Sequence, residues 1–172
     1  MLNLHAVDLS VLHSAGHDHS SGDGATGADE GATALPSRRV KASRARDLLT
    51  GDPAVSTTFR FGPRSSLFSR YDTITNFNNT DAVDAPGVRG TQLGLSEDAC
   101  TEISALSAKA IATECCTKEV FAAGDVCLFT VAGINGTFLV LNDAQAGFQA
   151  NLDSVVFLSG YNLSDTNSIR LV

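Results

Sequence analysis

From Asp47 onward the apolar residues fall into short periodic runs, most of them with the spacing of a strand. Thr57-Thr58-Phe59-Arg60-Phe61 alternates and puts Phe59 and Phe61 on one face. In Tyr71-Asp72-Thr73-Ile74-Thr75-Asn76-Phe77, Ile74 sits three before Phe77. The alternation breaks there, which predicts a bulge or a strand ending near Asn76. Asn78-Asn79-Thr80-Asp81 and Asp84-Ala85-Pro86-Gly87 read as turns. Between Ser104 and Cys116 the period changes: Leu106, Ala110, Ile111 and Cys115 form one helical stripe, with Ser107 or Ser104 as its N-cap. Ser96–Ile103 is left open between a short helix and a turn. The last third is strongly β-like. Val126–Val131 sets Cys127, Phe129 and Val131 on one face, Ala132–Gly136 with its Asn135-Gly136 pair predicts a hairpin turn, and Thr137–Leu141 returns. Ser154–Leu158 is a nearly continuous apolar strand, and the chain closes on Ile169-Arg170-Leu171-Val172. The fold class expected is mainly β with one or two short helices (α+β).

Residues 14–37 have a different texture. They are rich in Gly, Ala, Ser and Asp and lack apolar periodicity, so ordering them would not be offset by burial. The expected organisation is a disordered low-complexity arm over 1–46 and a compact C-terminal domain over 47–172. All four histidines (His5, His13, His17 and His19) fall in the arm, where a mobile tail gives no fixed metal geometry.

Composition narrows the function classes. Of 172 residues, 43% are hydrophobic and 18% charged, which suits a globular domain. No stretch approaches the roughly 18 consecutive apolar residues of a membrane span. The start, Met1–Asp8, lacks the basic and apolar regions of a signal peptide. The net charge of −7 falls entirely on residues 47–172, which disfavours nucleic acid and is compatible with cations. The basic cluster Arg38, Arg39, Lys41, Arg44 and Arg46 reads as a solvated linker.

Catalysis finds little support. With no histidine after His19, a Ser-His-Asp or Cys-His site in the domain is excluded, and no H-E-x-x-H, Walker A or G-x-S-x-G motif occurs. The expectation is a chain that is not an enzyme. Cys100, Cys115, Cys116 and Cys127 form an even set, as in exported disulfide proteins, and Cys100–Cys115 is one conceivable bridge. Adjacent Cys115 and Cys116 would diverge on a regular helix, so only one is expected to face the core. The lack of C-x-x-C argues against zinc, and Cys127 reads as a small core residue.

Several segments carry a family resemblance. Asp47-Leu48-Leu49-Thr50-Gly51-Asp52-Pro53-Ala54-Val55-Ser56-Thr57-Thr58-Phe59-Arg60-Phe61 resembles the last, degenerate calcium-binding repeat of a repeats-in-toxin (RTX) array, whose usual form is D-x-L-T-G-G-x-G-x-D-T-F-x-F. Tyr71–Phe77 and Asp81-Ala82-Val83-Asp84 resemble the segment that follows such arrays. Gly136–Asp143, Ala146–Ala150 and Asp153–Tyr161 are similar to the C-terminal bluetail domain found at the ends of cyanobacterial surface proteins. The resemblance spans about residues 47–172. It implies a secreted or cell-surface, calcium-associated structural and export module. Its partners would be calcium ions, a type I exporter that reads an uncleaved C-terminal signal (here around Ser168–Val172), and cell-surface polymers. The alternatives are an adhesion module that binds a glycan or envelope polymer, and the severed end of a secreted RTX hydrolase.

The repeat itself is eroded: Asp52 and Ala54 replace glycines, and Thr57 stands where the aspartate belongs. Two groups of oxygen donors remain as candidate calcium ligands. Asp72, Asp81 and Asp84 surround the first turn, and Asn142, Asp143 and Asp153 flank one loop. The competing expectation is that these side chains cap turns and strand ends through backbone hydrogen bonds.

Overall fold

The structure, a computed structural model, describes residues 35–85, 100–142, 145–162 and 169–172. The four histidines, most of the expected arm, Pro86, Gly87 and Asp143 lie outside the described residues.

The described residues contain ten strands in two sheets, with a 3-10 turn at Phe68–Arg70 and one short helical segment over Ala108–Cys115. Their first half is a flattened coil. The chain alternates between two layers as β1 (Ser37–Lys41), β2 (Leu48–Thr50), β3 (Ser56–Arg60), β4 (Asp72–Thr75) and β5 (Ala82–Asp84). β1, β3 and β5 pair in parallel in one sheet, while β2 and β4 pair in parallel in the other. Strands so short are held by stacking on the next coil, since each lone turn buries too little to persist. Register Leu48↔Thr73 puts Asp47 over Asp72, and Thr58↔Ala82 puts Thr57 over Asp81. Turns stack as well. Gly51 donates its N–H to Thr75 O at 2.8 Å, and a Cβ on Gly51 would lie 2.4 Å from Asn76 O. Glycine is required there by close approach of two backbones.

The second half closes the coil with a mixed sheet. β6 (Cys100–Ile103) and β7 (Val126–Val131) are parallel, joined through the helical segment. β7, β8 (Ile134–Leu141) and β9 (Ser154–Ser159) are antiparallel, and β9 then pairs in parallel with β4. The six-stranded sheet therefore runs β2-β4-β9-β8-β7-β6, and the four-stranded sheet runs β1-β3-β5-β10, ending on β10 (Arg170–Leu171).

This sheet order explains the continuous apolar runs of the last third. Both faces of β8 and β9 are covered, so both sets of alternating side chains are apolar. Leu139, Leu141, Val156 and Leu158 pack with Phe59, Ile74, Val83 and Ile169 between the sheets. Phe138, Val140 and Val155 face the other way, against Ile111, Phe121 and Phe129 under the helical segment. Register aligns Phe129, Phe138 and Phe157 across three strands, with ring centroids 4.9 and 4.5 Å apart in stacked geometry. Such pairs add about 0.5–1.5 kcal/mol each beyond their area.

The mainly β α+β class stands as expected. So do the break at Asn76, which adopts φ +56° after β4 ends at Thr75, and the Ser107 cap, whose Oγ accepts Ala110 N–H at 3.1 Å. Three expectations are corrected, and one segment left open is decided. Residues 37–41 form β1, inside the segment expected to be a disordered linker. Arg38 Nη2 donates to Thr50 O at 2.6 Å and the Arg46 guanidinium lies 5.4 Å from the Tyr71 ring centre, so part of the basic cluster is structural. Ser96–Ile103, left between helix and turn, supplies strand β6 at its C-terminal end. The hairpin turn is Ala132-Gly133, with Gly133 at φ +77°, because Val131 pairs with Ile134. Asn135-Gly136 lies inside β8, where Gly136 passes so near β9 that a Cβ would sit 2.4 Å from Leu158 O.

Candidate functional site

The candidate calcium ligands are placed mostly as backbone caps. Asp72 opens β4 and is fully buried. Its Oδ1 accepts the Asp47 N–H at 2.8 Å, and its own N–H donates to Ser66 Oγ at 2.7 Å. Ser66 in turn donates to Val155 O. Burial pushes the Asp72 carboxyl up to about 7, with the Asp47 N–H opposing and the Asp47 charge adding to the rise. Its Oδ2 is buried without a hydrogen-bond partner.

Asp81 is also buried. Oδ1 accepts Thr57 N–H at 2.7 Å, and Oδ2 accepts the Asn78 N–H at 3.0 Å and its Nδ2 at 3.1 Å. Burial raises its pKa, against those hydrogen bonds. Asp84 pairs with Arg60 at 3.5 Å. Asp72, Asp81 and Asp84 thus serve three separate tasks along the coil and are not drawn around one ion. In the second group, Asp153 is buried and accepts Gln149 N–H at 2.6 Å. Asn142 donates Nδ2 to Phe121 O at 3.3 Å, and its Oδ1 is buried without a partner. Asp143 lies outside the described residues. Asp72, Asp81 and Asp153 thus accept backbone N–H groups, and Asp84 pairs with a side chain.

A second constellation was not legible as a site. Cys115, Cys116 and Cys127 place their three sulfurs within 4.8 Å of one another, and Cys115 Sγ lies 3.4 Å from Cys116 Sγ. Helix α1 (Ala108–Ala110) widens into a π turn over Ile111–Cys115, closed by Cys116 N–H donating to Ile111 O at 2.8 Å. The widened turn lets two consecutive cysteines turn inward, where a regular helix would separate them. Cys116 is fully buried and Cys115 is 9% exposed. Cys127 comes from β7 and is half-buried. The segment is pinned at both ends: Phe148 N–H donates to Cys116 O at 3.0 Å, and Ser104 donates from N and Oγ to the Glu114 carboxylate, both at 2.9 Å. No disulfide joins Cys115, so the suggested Cys100–Cys115 bridge is not formed. Within the cluster the Cys115 thiol is held low by hydrogen bonds from Cys116 and Cys127, and Cys116 is driven up by its bonds to the same two groups. The sequence signal was a cysteine pair at the end of a helical stripe, followed by Cys127 on a core-facing strand position.

No helix among the described residues is long and apolar enough to cross a membrane. No family model, curated protein or solved structure matches the chain.

Proposed function

We propose that the chain is a non-enzymatic structural module of an RTX-type secreted or cell-surface protein, closing the end of a calcium-loaded parallel β coil. The observation that carries this reading is the alternation of β1 to β5 between two parallel sheets, with Asp47 stacked over Asp72 and Thr57 over Asp81. Glycine-aspartate repeats coil in parallel in this way. Here the repeats have lost glycines and gained hydrogen-bonded carboxylates, and the mixed sheet β6–β9 then closes one end. β1 and β2 are the terminal strands at the other end of both sheets. A repeat array needs such an atypical terminal unit to finish its core. Calcium, on this reading, belongs to intact repeats stacked on β1 and β2, and the type I exporter is the partner that delivers the chain outside. The large apolar side chains exposed among the described residues, Leu35, Leu48, Val120, Ile134 and Val172, are all aliphatic. They offer no aromatic platform for a glycan, so the adhesion alternative is not favoured.

The test replaces residues 1–34 with consensus G-G-x-G-x-D repeats and follows calcium-induced folding by far-ultraviolet circular dichroism. The same repeats joined to an unrelated folded domain serve as the reference. Folding at several-fold lower calcium with the native module supports capping. Identical midpoints would remove the proposal.

A further inference from the structure

We propose that Cys115, Cys116 and Cys127 bind a single thiophilic metal ion, zinc(II) or copper(I). The sulfur spacing is that of a ligand set. An ion with metal–sulfur bonds of about 2.3 Å holds tetrahedral thiolates about 3.8 Å apart. The separations here run from 3.4 Å to no more than 4.8 Å, so each lies within about 1 Å of that spacing and small side-chain shifts would bring all three onto one ion. Zinc bound by three thiolates keeps one position for water or another donor, while copper(I) is satisfied by soft sulfur ligands.

The site is also built in advance. Cys115 and Cys116 are fixed by the π turn and by the Phe148–Cys116 backbone bond, and Cys127 by the ladder of β7. Apolar Ile103, Ile111, Phe121 and Phe129 belong to the same core cluster. Three soft sulfur donors in that apolar surrounding discriminate against calcium and magnesium. Cys115 and Cys127 are the more exposed members, which gives an ion a way in while Cys116 forms the floor. Binding releases the thiol protons as metal–thiolate bonds form, with no change of oxidation state. The site is independent of the capping role proposed above and of its calcium.

The experiment uses the full chain, reduced and anaerobic, in a Cys100→Ser background so that every thiol counted belongs to the cluster. One equivalent of zinc(II) or copper(I) is added, with calcium and magnesium in parallel arms. Native mass spectrometry reads the bound ion, and alkylation by N-ethylmaleimide counts protected thiols. The expected result is one zinc or copper(I) ion per chain, all three thiols protected, and no protection by calcium or magnesium. The arm that binds more tightly identifies the ion. Cys127→Ser, at a half-buried position, should keep the β-sheet circular dichroism spectrum and lose the protection. Unprotected thiols in the folded background chain under both soft ions would overturn the proposal. So would full protection in Cys127→Ser, or a chain purified with a sulfur–sulfur bond inside the cluster.

Discussion

Asp72 accepts the backbone N–H of Asp47 at 2.8 Å, so the side chain of one coil closes the backbone of the coil before it. The cost of this arrangement is a buried carboxylate, and it depends on pH. The folded pKa of about 7 lies above the ordinary 3.8. Between those values the native state holds more protons than the unfolded chain, so stability falls as pH rises. The advantage of the protonated form is fully present below pH 3.8 and is lost as pH passes through 7. Asp81 shifts in the same direction. Asp72→Asn keeps an acceptor for Asp47 without the charge. Its stability relative to the parent chain should rise from pH 5 to pH 8, by on the order of 2 kcal/mol. Urea unfolding of both proteins at the two pH values checks this, and parallel curves would contradict it.

Asp81 holds three donors from two different segments, Thr57 and Asn78. Asp81→Ala strands the buried Thr57 N–H and frees the 78–81 turn, which should cost roughly 2–4 kcal/mol. Asp81→Asn, which retains acceptor capacity, should lose less. Chemical denaturation ranks the two, and equal losses would show that the hydrogen bonds are not the source.

Three glycines separate crowding from conformation. Gly136→Ala meets both a φ of +140° and Leu158 O at 2.4 Å, and should destabilise by at least about 2 kcal/mol. Gly133→Ala has open space but a φ of +77°, and should cost about 1 kcal/mol. Gly62→Ala has neither obstacle and should be neutral or slightly stabilising. Melting temperatures in that order support the assignment of the hairpin to Ala132-Gly133.

The C-terminal tail is part of the core. Ile169 and Leu171 are buried between the sheets, β10 pairs in parallel with β5, and Val172 N–H donates to Val83 O at 3.0 Å. Ile169→Ala should cost about 2–4 kcal/mol. Secretion assays that delete this tail will therefore confound loss of an export signal with loss of folding. Arg170→Ala, at an exposed position, is the cleaner probe. It should leave the melting temperature within about 1 °C of the parent, since exposed surface changes are small.

Strands buried on both faces were the most legible elements. Phe138–Leu141 and Val155–Leu158 are unbroken apolar runs, and β8 and β9 contain them. β1 was illegible because Ser37-Arg38-Arg39-Val40-Lys41 has a single apolar residue, and what orders it is the parallel ladder to β3. The helix cap at Ser107 could be read from local chemistry, but the π turn could not, because the apolar stripe tolerates one inserted residue. That insertion is what gathers Cys115 and Cys116, so the thiol cluster stayed hidden behind the assumption of 3.6 residues per turn. The first acidic group was not brought to one place, for a related reason. Sequence spacing brought Asp72, Asp81 and Asp84 together, whereas in the coil Asp72 and Asp81 accept from different backbone neighbours and Asp84 pairs with the Arg60 side chain.

The terminal position of β1 has a consequence for assembly. Among the described residues no strand pairs with the outer side of β1, and such an edge invites any extended chain to add to it, including a second copy of the same protein. Here Arg38, Arg39 and Lys41 line that edge. Two copies approaching edge to edge would bring like charges together, whereas an acidic coil would meet complementary ones. The same three cations would act as a sorting device, refusing self-polymerisation while leaving the edge open to a strand of opposite sign.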